Sequence, residues 1–155
     1  MAHVREGGCQ CGFVRHQFEG EPLGTAVCHC TECQRQSGSA FGMSLIIRKE
    51  ALRLLRGTLK TYTRTADSGH VVAGAFCPEC GVRIYNEPRW LDGIFTLKPG
   101  TLDDTSFLRP TMEVWTKRKH NWLEIRGDVR SFESNPPKPP AGTRAKNAAR
   151  ERFSG

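Results

Sequence analysis

The sequence predicts a mainly β single domain with long loops and little helix, and three observations lead there. Short segments rich in β-branched and aromatic residues recur between glycine, proline and aspartate boundaries. No stretch sustains a helical period of apolar residues. Seven cysteines fall into three groups, and metal held by them would brace a body with this much loop. At 155 residues the chain suits one domain around one core, built as two sheets or as one sheet folded over.

Taken in order, the strand candidates are FVRHQF (13–18), FGMSLII (41–47), HVVAGAF (70–76), VRIYN (82–86), GIFTLKP (93–99) and MEVWTK (112–117). The best helix candidate is a turn or two at TECQRQSG, where Thr31 would cap and Gly38 would terminate. Leu52, Leu54, Leu55 and Leu59, interrupted by Gly57, read as a hairpin rather than a helix. There is no internal repeat. From Pro136 the chain runs PPKPPAGTRAKNAARERFSG, too polar and proline-led to offset its ordering entropy by burial. The expected organisation is therefore a zinc-binding β domain over 1–135 and a mobile, basic, Pro-rich tail over 136–155.

The formal charge of +7 suggests an anionic partner, but its placement weakens that inference. Lys138, Arg144, Lys146, Arg150 and Arg152 face a single acid, Glu151, within the tail. Basic residues are not interleaved with aromatics and no recognition helix is evident, which argues against nucleic acid. The N-terminus MAHVREGGCQCG has no apolar core of a signal peptide, and the apolar runs are short, so neither secretion nor a membrane span is expected. A cytoplasmic location follows, and an odd number of thiols in a reducing compartment points to metal rather than disulfides.

The cysteines group as CQC at 9–11, CHCTEC at 28–33 and CPEC at 77–80 before Gly81. CPECG has the spacing of half a zinc knuckle, in which backbone N–H groups support both sulfurs and the glycine allows the turn that follows. CQC offers two sulfurs on one face if it is extended. Cys9, Cys11, Cys77 and Cys80 would then close a structural four-cysteine site. That leaves Cys28, Cys30 and Cys33, one ligand short of a closed tetrahedral site. Three readings stand: an open metal site; a second structural site completed by His16, His29, His70 or His120; or three free buried thiols. His29, between Cys28 and Cys30, would point away from an ion held by both and serve as a supporting or surface group.

The stretches GGCQCGFVRH, CHCTECQRQSGSAFG, GHVVAGAFCPECGVRIY, LKPGTLDD and RPTMEVWTKRKHNW resemble the glutathione-dependent formaldehyde-activating enzymes and their relatives, including centromere protein V. The resemblance runs from about Gly7 to Trp122 with the same grouping of cysteines. It implies a zinc-bearing β-tent fold with two zinc ions per chain. One would be structural, at Cys9, Cys11, Cys77 and Cys80; the other would be catalytic, at Cys28, Cys30 and Cys33.

The chemistry that three thiolates favour agrees with this implication. They leave Zn²⁺ with a formal charge of −1, a poorer Lewis acid than a three-histidine site, so hydrolysis by bound hydroxide is not the first choice. A sulfur-rich site is better suited to receive another thiol and keep it deprotonated yet nucleophilic. With glutathione and formaldehyde, the reactants that the resemblance implies, the activity would be a carbon–sulfur lyase reaction on S-hydroxymethylglutathione. Arg35, Gln34 and Ser37 are candidate glutathione contacts, set against a plain solvated turn. The basic run at 117–120 reads as a wet edge, and Trp115 and Trp122 as core or pocket residues. The competing reading is a non-catalytic, zinc-stabilised adaptor that binds through its basic tail.

Overall fold

A computed structural model describes residues 3–137 of the chain. Positions 138–155, nearly all of the expected tail, lie outside the described residues. The described part is mainly β, with two sheets and one α-helix. The small sheet holds β1 (Val4–Gly8), β2 (Arg15–Glu19) and β5 (Leu52–Arg56) in the order β1-β2-β5, all antiparallel.

The large sheet holds β3 (Gly24–Cys28), β4 (Gly42–Arg48), β6 (Lys60–Thr65), β7 (Val71–Phe76), β8 (Arg83–Pro88), β9 (Ile94–Leu97), β10 (Met112–Val114) and β11 (Arg130–Ser131). Its order is β11-β10-β3-β4-β9-β8-β7-β6. β10 runs parallel to both β3 and β11; the other pairings are antiparallel.

All six expected strands are present, with shifted ends. The last stops at Val114 because Trp115 turns into the left-handed region (φ 59°), and a short 3₁₀ turn, Thr116–Arg118, follows. Five of the eleven strands, β1, β3, β5, β6 and β11, lie outside those six. β3 is the most instructive: GTAVC is short and small in side chain, yet it is almost wholly buried next to β4. The leucine cluster is not a hairpin. β5 pairs with β2 and β6 pairs with β7, so at Gly57 the chain leaves one sheet for the other. Leu52 and Leu59 pack on the core, whereas Leu54 and Leu55 are exposed.

The core joins the two sheets through Val14 and Phe18 on one side and Leu45, Ile47, Ile84, Phe95 and Leu97 on the other, with Cys9, Cys77 and Leu102 completing it. Alternation explains the strands: in β8 (Arg83–Pro88) every second residue is buried, and Ile84 is fully so. A further tie runs from Gly7 to Leu102, where a Cβ on Gly7 would collide with the backbone of Thr101 and Leu102 and with His16. Beside it Arg15 grips Asp103 through both guanidinium ends. No helix among the described residues is long and apolar enough to cross a membrane.

Candidate functional site

Two hairpin turns carry the first cluster. CQCGFV connects β1 to β2, and CPECGV connects β7 to β8. Each is closed the same way: Cys9 N–H donates to Val14 O at 3.0 Å and Gly12 N–H to Cys9 O at 3.2 Å, while Cys77 N–H donates to Val82 O and Gly81 N–H to Cys77 O, both at 2.9 Å. The glycine after the second cysteine sits at φ 80° in one turn and 78° in the other, a conformation that a Cβ would strain. CQC is thus a turn rather than the extended segment its spacing suggested, but its sulfurs still converge.

The four sulfurs Cys9, Cys11, Cys77 and Cys80 lie within 4.8 Å of one another, with Cys9 to Cys11 at 3.5 Å and Cys11 to Cys77 at 3.8 Å. A tetrahedron with metal–sulfur bonds of about 2.3 Å has edges of about 3.8 Å, so the donor set fits a four-coordinate thiophilic ion. Backbone amides prepare the thiolates: Val14 N–H donates to Cys9 Sγ at 3.2 Å. Cys80 is brought down to about 6, first by the Val82 amide and then by that of Cys11.

The second cluster is built from a strand end and a helix start. Cys28 is the last residue of β3, Cys30 caps α1 (Thr31–Ser37), and Cys33 lies in its first turn. The cap is the Cys30 sulfur, which accepts from Cys33 N–H at 3.3 Å, and Thr31 is the first helical residue rather than the cap; Gly38 does end the helix. Gly42, opposite Cys28 on β4, leaves the room that Cys33 occupies: a Cβ there would stand 3.1 Å from that of Cys33. The three sulfurs lie within 4.8 Å of one another. The nearness of the other two thiols holds Cys30 well down, despite burial, and pushes Cys28 up. Among the described residues no histidine or carboxylate joins the three sulfurs as a fourth ligand. His16 bonds Thr101 Oγ1 at 3.0 Å, His70 stacks on Trp90, and His120 sits against Gln34 and Trp122.

His29 points away from the sulfurs, but inward rather than to the surface. It is fully buried, its backbone N–H donates to Val114 O at 3.1 Å, and its Nε2 meets Glu113 Oε2 at 3.1 Å. Glu113 also accepts from Lys119 Nζ at 3.0 Å and Ser131 Oγ at 2.8 Å. Burial opposes charge on Glu113, yet these three donors outweigh it and hold the carboxyl below its ordinary value. Lys119 is therefore an internal partner, not part of a wet edge.

The candidate glutathione contacts are placed unevenly. Gln34 Nε2 donates to His29 O at 2.8 Å, bracing the loop that carries Cys28 and Cys30. The Ser37 hydroxyl donates to Phe41 O at 2.9 Å. Arg35 is largely exposed and 3.6 Å from Glu32. Trp115 donates through Nε1 to Asn135, and Trp122 is exposed.

The sequence reading missed three cations directed at this cluster. Lys98, just beyond β9, is half-buried and lies within the fields of all three cysteines; desolvation pushes its pKa down and those fields push back. Arg83 feels Cys33, and Arg64 acts on Cys30. One signal was available. Gly74 sits in the middle of strand β7, where glycine often marks a close approach, and its missing Cβ is where the Arg83 guanidinium lies.

The sequence model of the glutathione-dependent formaldehyde-activating enzyme family matches residues 4–118, which include every cysteine of both clusters. The chain belongs to this family. The family's description names glutathione and formaldehyde. The fold is similar to that of a Rhodobacter sphaeroides protein of known crystal structure, with a TM-score of 0.53 and 22% identity, over 65% of this chain and 90% of that one. No curated protein matches the chain. Within this formaldehyde-activating family member, both cysteine clusters could hold a metal ion, one with four thiols and one with three.

Proposed function

We propose that this chain is a zinc-dependent carbon–sulfur lyase that forms or cleaves a glutathione–aldehyde adduct such as S-hydroxymethylglutathione. The observation that carries the proposal is the contrast in donor count: four thiols complete one cluster, and the other has three with no fourth protein ligand beside them among the described residues. Family membership supports glutathione and formaldehyde as the reactants. All seven cysteines are free of disulfides, which suits a reducing cytoplasm.

In this reading Cys9, Cys11, Cys77 and Cys80 hold a structural zinc, and Cys28, Cys30 and Cys33 hold the functional one. Zinc at the three-thiol site would keep an incoming thiol deprotonated near neutral pH while leaving it nucleophilic. Formation of the adduct adds the thiol across the formaldehyde carbonyl, with sulfur bonding to carbon and the proton ending on oxygen. Cleavage is the reverse. The residues of the chain keep the three sulfurs together, through the Cys30 cap, the room at Gly42 and the buried His29 behind the loop. Formaldehyde is small and reactive, so supplying and aligning the thiolate accounts for most of the required catalysis.

The test combines metal content, zinc-edge X-ray absorption and formaldehyde consumption on the full chain. The expected result is two zinc ions per chain and glutathione-dependent formaldehyde loss. The average sulfur count per zinc should rise by about half a ligand when glutathione fills the open position, with zinc staying bound. An unchanged spectrum at saturating glutathione, with imidazole scattering already present, would make the second site structural and favour the zinc-stabilised adaptor.

A further inference from the structure

Three cations of the large sheet are held against the elements that carry or flank the three-thiol cluster, α1 and β4: Arg64 from β6 by Glu32, Arg83 from β8 through Asn86 and Gln36, and Lys98 just beyond β9 by Met43 and Ser44. Their charge is poorly matched by the protein. Among the described residues Arg83 and Lys98 have no carboxylate partner, and Arg64 has only Glu32, at 3.7 Å, which Arg35 shares. Lys98 Nζ donates instead to Ser44 Oγ at 3.1 Å and Met43 O at 3.3 Å.

Two guanidinium nitrogens, Arg64 Nη1 and Arg83 Nε, are buried without any partner. Buried N–H groups of a charged fork left without an acceptor are costly, and such a fork matches a planar oxyanion. With zinc on the three thiolates at formal −1 and Glu32 at −1, the three cations leave a surplus of about one positive charge, which an incoming thiolate would itself balance, so it is the two unpartnered guanidinium nitrogens that call for a further acceptor.

The position of Arg83 is fixed from two sides. Its Nη1 donates to Asn86 Oδ1 at 2.6 Å, and Asn86 Nδ2 donates to Gln36 Oε1 of the cysteine-bearing helix at 3.2 Å. On the other side lies Gly74, where any side chain would displace the guanidinium. The sheet thus reserves space for this arginine at the expense of a strand side chain.

We propose that Arg64 and Arg83, together with Lys98, form an anion subsite of the three-thiol centre, so that the thiol it takes is one that carries a carboxylate. This rests on that centre being open to a thiol. The test is calorimetric titration of the zinc-loaded full chain with mercaptoacetate, 3-mercaptopropionate, glutathione and the uncharged 2-mercaptoethanol. At least one carboxylated thiol should bind about tenfold or more tightly than 2-mercaptoethanol. Arg64→Gln and Arg83→Gln should each narrow that ratio to within about threefold. Zinc content reports whether each variant folds, and Arg64, on an edge strand, carries the test should Arg83→Gln fail to fold.

Equal binding of charged and uncharged thiols would overturn the inference while leaving the open site standing, since the cations would then only balance the cysteine thiolates. Failure of every thiol, 2-mercaptoethanol included, would overturn the open site and the subsite with it.

Discussion

The two cysteine clusters use the same donor in different settings. The four-thiol cluster is formed by two hairpin turns that come from opposite sheets, so an ion there would bind the sheets to each other at the edge of the core. The three-thiol cluster lies within a single segment, on a strand end and the helix after it, and connects to the rest through Glu113 and the cations of the large sheet. The first spans residues distant in sequence and would restrain the fold, whereas the second ties a stretch of six residues and restrains little. Under the proposed division of roles, the structural or functional use of a thiol site depends on what its thiols join.

The largest effect that could break this comparison is expected from Cys77→Ser set against Cys30→Ser. The first removes a thiol of the four-cysteine cluster that is itself a fully buried core residue, and the chain should lose its cooperative unfolding transition. The second should keep that transition and one zinc per chain. Circular dichroism with metal analysis decides it, and equal unfolding of both variants would refute the division of roles.

A smaller loss is expected from Glu113→Ala, which leaves His29, Lys119 and Ser131 facing a buried gap. Removing one member of such a network costs about 3 kcal/mol. Because His29 lies between Cys28 and Cys30, the proposed zinc should also leave the three-thiol site first on titration with a chelator. Equal loss from both sites would mean that Glu113 supports the fold without supporting the loop.

The smallest expected effect concerns acid, which sharpens the comparison by separating the fold from the metal. Burial, with the charge of Arg15, lowers the His16 pKa to about 4. Below the ordinary value of 6.5 the unfolded chain binds a proton that the folded chain refuses, so stability is present above that pH and falls as pH drops through the folded pKa. Between pH 6.5 and 5 this is worth about 2 kcal/mol, and His16→Gln should remove that part of the slope. Denaturant midpoints of both proteins across this range check it. The difference between them cancels the protonation of cysteine thiolates, which is common to both.

Most of the fold class was legible in the sequence because strands announce themselves through local patterning, and six did so. Of those missed, β1, β3 and β11 are short or lack bulky β-branched residues, whereas β6, KTYTRT, has strand-forming residues but no apolar face to mark it. GTAVC is recognisable as a strand only from its neighbours β4 and β10, which bury it. Leu52 to Leu59 failed for another reason: a glycine between apolar runs looks the same whether the chain folds back or crosses to another sheet, and only the pairing of β5 with β2 separates the two.

The cysteine sites divide along the same line. Spacing alone determined which thiols group together, because ligands two or three positions apart are near one another in almost any turn and the glycine after them is a local requirement. Tertiary structure decided what surrounds each group. Arg64, Arg83 and Lys98 come from strands that no local rule assigns to CHCTEC, and they converge there because β6, β8 and β9 share a sheet with β3 and β4. The same holds for Glu113, a strand residue whose partner His29 lies 84 positions away. Short-range geometry is written into a segment by its own residues, whereas the charge around a site is set by whichever strands the burial of the core brings beside it.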